Sequence, residues 1–286
     1  MAEQMQDIKR RIRSISSTER ITNAMKLVSA AKLRRAKAAF EHSKLYLDPI
    51  IESIDESFDN SQSVPKDFIL GNREIRKTCY IIITSNNGLC GSFNGNVLRA
   101  TEDAIREGHH DVTLVTIGSR GREYFERRNI PVTMQYDEPA DTIHYEDVKA
   151  ITEPLLEKYL AGEIDEIRLI YTSYVNTLSQ EVTDRHIFPI DMSHHKHGTK
   201  EENIEYEPSA EEVFQYLTSK YLEMTLYSAT IESAACEHAA RRQAMENASD
   251  SAAEMLADLK LQYNRARQAQ ITDEIIEIVS GAEALS

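Results

Sequence analysis

From Ser209 to Ser280 the chain runs for 72 residues without a glycine or a proline. Those residues are the strongest breakers of local structure, so an interval this long without either favours continuous helix. One uninterrupted helix of that size rises roughly 110 Å, against an average helix of about 11–12 residues. A single globular core cannot bury it; it must pair with another helix, sit inside a larger assembly, or both. Ser209 followed by Glu212 has the pattern of a capping box at its start. The apolar positions of the segment include Phe214, Leu217, Tyr221, Met224, Ile231, Ala234, Met255, Leu259, Ile275 and Ile278.

A second helical segment opens the chain. Residues 2–58 contain no glycine and a single proline, Pro49. Apolar residues recur at Ile8, Ile12, Ile15, Met25, Val28, Ile50, Ile54 and Phe58, with alanines at 30, 31, 36 and 39. That spacing is helical, with a narrow stripe whose alanines permit close helix approach. Proline removes a helical donor, so Asp48-Pro49 predicts a bend or break.

Between the two lies a different texture. TCYIIITS (78–85) reads as a buried strand, DVTLVTIG (111–118) as a second, and 130–136 as a third. EIRLIYTSYVN (166–176) and QEVTDRHIFPI (180–190) read as strands able to pair as a hairpin. Helices are expected from about Gly95 to Glu107, over 119–128, and over 144–162 with an interruption at Pro154. This alternation predicts an α/β sheet packed by helices. The resulting division is 1–58, a helix; 76–190, an α/β domain; and 209–286, a long helix. If the terminal helices pack together, they run antiparallel.

Charge sharpens the picture. The net charge of −14 argues against a nucleic-acid binder. Residues 1–44 carry 11 Lys/Arg against 4 Asp/Glu, and residues 209–286 carry 6 against 13. The two ends should therefore attract, although two unrelated solvated faces would show the same imbalance. Three unpatterned cysteines, Cys79, Cys90 and Cys236, form neither a disulfide framework nor a zinc motif and suggest a reducing compartment. No apolar run approaches ~20 residues, so no membrane span is expected. The opening MAEQMQDIKRRIRS lacks a signal peptide's apolar core, and Glu3 and Asp7 fit a transit peptide poorly.

Three stretches together resemble the γ subunit of F-type ATP synthases, of the bacterial kind without the chloroplast regulatory insertion. They are IKRRIRSISSTERITNAMKLVSAAKLRRAK (8–37), ITSNNGLCGSFNGNV (83–97) and LQYNRARQAQITDEIIEIVSGAEAL (261–285). The last is the most specific, and the HHKHGTKEEN stretch looks like a variable loop. The resemblance implies a left-handed antiparallel coiled coil of the N- and C-terminal helices with an inserted Rossmann-like α/β domain. It implies a central rotating stalk, peripheral to the membrane on the cytoplasmic face of a bacterial cell. Its partners would be the α and β subunits of the catalytic hexamer, the ε subunit and the membrane c-ring. ATP chemistry would belong to the β subunits, with no catalytic, cofactor or metal residue on this chain.

The same resemblance singles out residues. Met25 and Lys26 would face a β-subunit loop, although the family often has an acidic residue where Lys26 stands; alternatively Met25 is a packing residue. Arg241, Arg267, Gln268, Thr272 and Glu274 match coupling positions, against the plainer reading of a solvated helix face. Tyr206 and Glu207 match a rotor-ring contact, or are simply entry chemistry before the helix. Gly88, Gly91 and Gly95 follow a strand, but their spacing is not the dinucleotide fingerprint and no P-loop Lys-Ser/Thr is present; a tight turn is expected. His194, His195 and His197 are read as solvated rather than as metal ligands. Cys90 has no adjacent histidine to activate it.

Overall fold

The computed structural model describes residues 2–59, 68, 74–108, 111–176, 179–190, 206–207 and 209–283. Helix α1 spans Ala2–Asp59; β1 (Lys77–Ile83), α2 (Phe93–Gly108), β2 (Asp111–Ile117), α3 (Ser119–Glu126) and β3 (Val132–Tyr136) follow. Then come α4 (Tyr145–Leu160), β4 (Glu166–Tyr174), β5 (Gln180–Phe188) and α5 (Ala210–Glu283). The chain divides into two compact units, Ala30–Ala240 and the combination of Met1–Ser29 with Arg241–Ser286. His194, His195 and His197 lie outside the described residues.

The larger unit is built on one five-stranded sheet of order β3-β2-β1-β4-β5. The first four strands are parallel and β5 pairs antiparallel to β4 as the expected hairpin. Alternation along the strands sorts side chains to two faces. Tyr80 and Ile82 of β1 join Leu114, Phe125, Val97 and Leu98 under α2 and α3. Cys79, Ile81 and Ile83 point the other way, to Val148, Ile151 and Leu155 of α4 and to Leu222 and Leu226 of α5. Both faces of the central strands are covered, which is why they read as continuous apolar runs rather than alternating ones.

Beside that second face sits an aromatic nest. Phe188 lies 5.5 Å from Phe68 and 5.3 Å from Tyr159, and Phe68 lies 5.6 Å from Phe214 of α5. Each such side chain contributes about 1.5–3 kcal/mol on burial, more than an exposed ion pair can. Apolar burial therefore anchors this part of α5.

Polar clamps add direction to that anchorage. Glu223 of α5 is 2% exposed and accepts hydrogen bonds from Tyr145 of α4, from Lys220 Nζ at 2.7 Å and from Ser219 Oγ at 3.0 Å. Burial would raise its carboxyl, but the bonds from Lys220, Tyr145 and Ser219 hold it below the ordinary carboxylate range. Asp141, in a 3-10 turn at Ala140–Thr142, ties two helices to the sheet layer. Its Oδ2 lies 3.3 Å from His238 Nε2 of α5 and 3.0 Å from Lys32 Nζ of α1. The hydrogen bond from His238, reinforced by Lys32 against the cost of burial, holds Asp141 well below the usual range.

A carboxyl depressed in the folded state stabilises above its unfolded pKa, near 4, and loses that contribution as pH falls further. Asp141→Asn is accordingly expected to cost about 2 kcal/mol at pH 7 and to flatten the loss of stability between about pH 4 and pH 2. Urea denaturation across that range checks it; equal pH slopes for both proteins would exclude the clamp.

Neither of two prolines ends its helix, although Pro154 was expected to interrupt one and Pro49 to bend or break the other. Pro49 lies inside α1 and Pro154 inside α4. Each frees the carbonyl four residues earlier, and Leu45 and Ala150 are both exposed, so water can take the lost bond. Around each proline, buried neighbours hold the helix to the core: Leu47 and Ile54 in α1, Thr152 and Leu155 in α4. At the start of α5, Glu212 N–H donates to Ser209 Oγ at 3.2 Å, one of the two bonds of the expected capping box.

Antiparallel helix packing is visible within each unit. In the larger one, Leu33 and Ala36 pack on Ala235 and Ala239, and the Ser43 and Ser228 hydroxyls meet at 2.9 Å. In the smaller, Lys26 Nζ of α1 lies 4.0 Å from Glu246 Oε1 of α5.

Candidate functional surface of the helix pair

The smaller unit carries most of the residues singled out from the sequence. Along α1 up to Ser29 the half-buried and buried positions are Met5, Ile8, Ile12, Ile15, Glu19, Thr22, Lys26 and Ser29, with Ser16 and Met25 half-buried beside them. Along α5 they include Met245, Ser249, Ala252, Leu256, Leu259, Tyr263, Ala266 and Gln270. Both sets advance in alternating steps of three and four, the 3.5-residue repeat of a left-handed coiled coil.

The chemistry of this seam changes along α1. It begins with isoleucines and continues through Glu19, Thr22, Lys26 and Ser29. Thr22 is 8% exposed, whereas Leu27 is 63% and Val28 58% exposed, and Ile21 also faces outward. Over this stretch the helix buries its polar face and presents its apolar one. Val28, expected in the buried stripe, therefore lies outside it. Met25 is half-buried beside this outward patch, and Lys26 reaches back across the seam to Glu246. Glu246 also lies 4.0 Å from Arg242, and Arg241 is buried.

The end of α5 presents a second outward apolar surface. Every residue from Ile271 to Ser280 is exposed, and Ile275, Ile276, Ile278 and Val279 are each more than half so. Met255, Ile275 and Ile278 are thus outward positions, not seam positions. Arg267 and Gln268 lie exposed, one turn before. Thr272 Oγ1 donates to the Gln268 carbonyl at 2.9 Å, and Gln270 Nε2 donates to Glu274 Oε1 at 2.8 Å. The outer faces of Arg267, Gln268 and Glu274 remain available to a partner. Arg267 stands 21 residues beyond Glu246, roughly 32 Å along the helix, so the chosen residues form two separate levels. Tyr206 is half-buried and Glu207 exposed, in the larger unit, just before α5.

The signal for the outward patch on α1 was present in the heptad. Carrying the register of Ile8, Ile12 and Ile15 forward places Thr22 and Ser29 inward and leaves Ile21, Leu27 and Val28 outside.

The glycine loop after β1 has a different use from the one its pattern invites. In a sheet of this order, ligands bind where neighbouring crossovers diverge, at the ends of β1 and β4. Here Cys90 and Phe93 fill that place, packed on Cys236 of α5 with Tyr174 and Ala240 beside them. Asn94, one residue into α2, is committed to the loop itself, its Oδ1 accepting from Ser85 N at 2.9 Å. Cys90 Sγ accepts from Asn94 Nδ2 at 3.3 Å, and all three cysteines are buried thiols. Burial pushes the Cys79 thiol up to about 12. Of the three glycines, Gly91 takes a positive φ, 59°. Among the described residues there is no group of three or more His, Cys, Asp or Glu able to hold a metal ion. None of the described helices is long and apolar enough to cross a membrane.

Antiparallel helix packing within each unit, an α/β sheet formed by the chain between the two long helices, and outward apolar levels on the smaller unit define a protein that works by contact with partners. The family model described as ATP synthase matches residues 4–285. A curated ATP synthase gamma chain of Alkaliphilus metalliredigens is 41% identical over 286 residues, covering 98% of both chains. The sodium ion specific ATP synthase gamma chain of Acetobacterium woodii is 40% identical and covers both chains fully. This chain belongs to the ATP synthase gamma chain family. Its fold is also that of a chain from the Euglena gracilis mitochondrial ATP synthase, with a TM-score of 0.71 and 16% identity over 100% of this chain and 95% of that one. A chain from the Tetrahymena thermophila central stalk and c-ring gives 0.62 at 24% identity, over 80% and 99%.

Proposed function

We propose that this chain is the rotating central-stalk subunit of an F-type ATP synthase, a non-catalytic part that couples ion-driven rotation of the membrane ring to ATP synthesis or hydrolysis on the β subunits. The observation that carries the reading is the inverted helix pair: Ile21, Leu27, Val28 and the aliphatic end of α5 face outward in a chain of this family. Such surfaces require a surrounding sleeve, which the α and β subunits supply. The division into 1–58, 76–190 and 209–286 then separates two coupling helices from a domain that meets the ε subunit and the c-ring. The complex sits at the cytoplasmic face of a bacterial membrane.

Met25, Lys26, Arg241, Arg267, Gln268, Thr272 and Glu274 take the coupling role, and Tyr206 and Glu207 the ring contact. Lys26 is engaged with Glu246, so its charge acts on a partner only after partial neutralisation. Arg267 carries five N–H donors on an exposed face, suited to carboxylate or carbonyl acceptors on a β loop.

The test is reconstitution with the α, β and ε subunits, reading ATP hydrolysis and ATP-driven ion pumping. Arg267→Ala is expected to lower turnover several-fold while moving the stability of the isolated chain by less than about 0.5 kcal/mol. Wild-type turnover would remove Arg267 from the coupling set. Failure of the wild-type chain to join α and β would overturn the stalk reading as a whole.

A further inference from the structure

The larger unit begins at Ala30 and ends at Ala240, and α1 and α5 both run on past those residues. Lys32 and His238 each stand two residues inside that boundary, and both reach Asp141 Oδ2. One carboxylate oxygen of the α/β layer thus holds the two long helices where each leaves the unit.

The main apolar core stops short of this level. It runs along α5 from Phe214 to Ile231 and along α1 from Phe40 to Ile54. Nearer the boundary, α5 rests on Cys90 and Phe93 through Cys236. There α1 rests on α5, through Leu33 and Ala36 against Ala235 and Ala239. Apolar burial is non-directional, so it opposes separation more than it opposes rolling or sliding. Two cations of this stretch of α1 reach the α/β layer: Lys32 on Asp141, and Lys37, whose Nζ lies 5.8 Å from the Tyr174 ring centroid.

Asp141 is held firmly. It sits in the 3-10 turn between β3 and α4, with Ala140 and Ile143 buried on either side and Thr142 N donating to the Pro139 carbonyl at 2.9 Å. An ionised carboxylate accepts and cannot donate, so His238 Nε2 carries the proton of their shared bond. The His238 side chain is 5% exposed and that of Asp141 18%, so this bond is shielded from the water that makes surface pairs weak. The contacts close a triangle: α1 to α5, α5 to Asp141, Asp141 to α1. Two bodies joined at one contact can turn about it. Three joined pairwise turn by breaking a contact, and the two to Asp141 are directional.

We propose that Asp141 is a positioning residue for torque: with Lys32 and His238 it fixes the angle at which α1 and α5 leave the α/β layer, so that rotation of the layer reaches both helices together. The inference rests on the stalk reading above, since a rotating part must carry load through this junction.

The test uses the complex reconstituted with α, β and ε, the hexamer immobilised and a rotation probe attached through Glu107→Cys on the exposed side of α2; the native cysteines are buried. The angular variance of the probe within each dwell reads the stiffness between the helices and the α/β layer, which a merely structural role would leave unchanged. Lys32→Met keeps the apolar stem and removes the cation. With one of the two directional bonds to Asp141 gone, the variance is expected to grow about twofold while unloaded ATP hydrolysis is kept. Lys32→Arg is expected to restore the wild-type variance, and His238→Leu to widen it. Lys32 is exposed, so its variants test the clamp even if His238→Leu folds poorly. Wild-type variance in Lys32→Met, or equal widening in Lys32→Arg, overturns the clamp and leaves the stalk reading standing. A wild-type chain whose probe does not rotate on ATP overturns the stalk reading, and the clamp with it.

Discussion

Replacing Gly118 with alanine is expected to destabilise the larger unit by about 2–6 kcal/mol. Gly118 joins β2 to α3 with φ 95° and ψ 135°, a conformation that residues with a side chain rarely adopt. A Cβ there would stand 2.1 Å from the Thr84 carbonyl oxygen and 2.7 Å from its carbon. Thr84 cannot retreat cheaply. Its N–H donates to the Ile117 carbonyl at 2.8 Å, and its hydroxyl accepts from Gly121 N at 2.9 Å. Gly118 N in turn donates to the Tyr136 carbonyl at 2.8 Å, so three strand ends converge on this point. Backbone strain of about 1–3 kcal/mol adds to an overpacking cost of about 1–3 kcal/mol. Urea denaturation followed by tyrosine fluorescence measures it, since the chain has 13 tyrosines and no tryptophan. Gly95→Ala is the control. Gly95 lies in α2, where an added Cβ would meet nothing within 4 Å, and alanine there should be neutral or add up to ~1 kcal/mol. Equal midpoints for Gly118→Ala and the wild type would mean that the close approach at Thr84 is not rigid.

These two glycines mark where local sequence stopped being informative. Gly88, Gly91 and Gly95 attract attention because they cluster after an apolar run. Gly118 and Gly121 matter more, and the reason is tertiary: α3 crosses so close to β1 that a Cβ at Gly121 would lie 2.9 Å from Ile82 Cδ1. No spacing within 111–128 encodes that approach. The long helices, by contrast, were legible because absence of breakers is a local property and propensity sums over many residues. The strands were legible because burial on both sides demands continuous apolar runs. The two helix prolines misled for the opposite reason, since whether a lost hydrogen bond breaks a helix depends on whether water reaches the freed carbonyl.

The helix surface was half legible. Met25, Arg267 and Gln268 are singled out by resemblance alone, and they lie on or beside outward faces. The inversion around Ile21–Ser29 was hidden because an apolar inventory mixes inward Ile12 with outward Val28; it takes a strict register to separate them. The opposed end charges predicted broad attraction between the helices. Lys26–Glu246 is one such pair, but it is long at 4.0 Å, while Arg10–Asp7, Lys37–Glu41 and Arg242–Glu246 each form within one helix. Net charge averages over faces, and helical neighbours three or four residues apart compete for the same partners.

Leu259→Pro should abolish coupled ion pumping. Leu259 is a half-buried seam residue of α5, between Leu256 and Tyr263 in the heptad. Proline there removes the bond to the Met255 carbonyl and drives its ring into that turn, at a cost of ~3 kcal/mol or more. The native chain tolerates Pro49 because α1 is held there by Leu47 and Ile54, buried in the larger unit's core. Leu259 has only a two-helix seam, and past it lie the exposed aliphatics from Leu261 to Val279, which contribute nothing to the isolated chain. A kink at 259 would redirect or fray the last 24 residues of the helix, including Arg267, Gln268 and the aliphatic end. The expected signature is lower helicity by circular dichroism and early proteolysis after residue 259, with the larger unit's unfolding midpoint unchanged. In the reconstituted complex, ATP-driven pumping should fall to background. Leu259→Ala separates the causes, since it trims the seam contact while keeping a strong helix former. Pumping near wild-type levels in the alanine variant and none in the proline variant assigns the loss to helix continuity. Undiminished pumping in Leu259→Pro would show that torque does not pass through this part of α5.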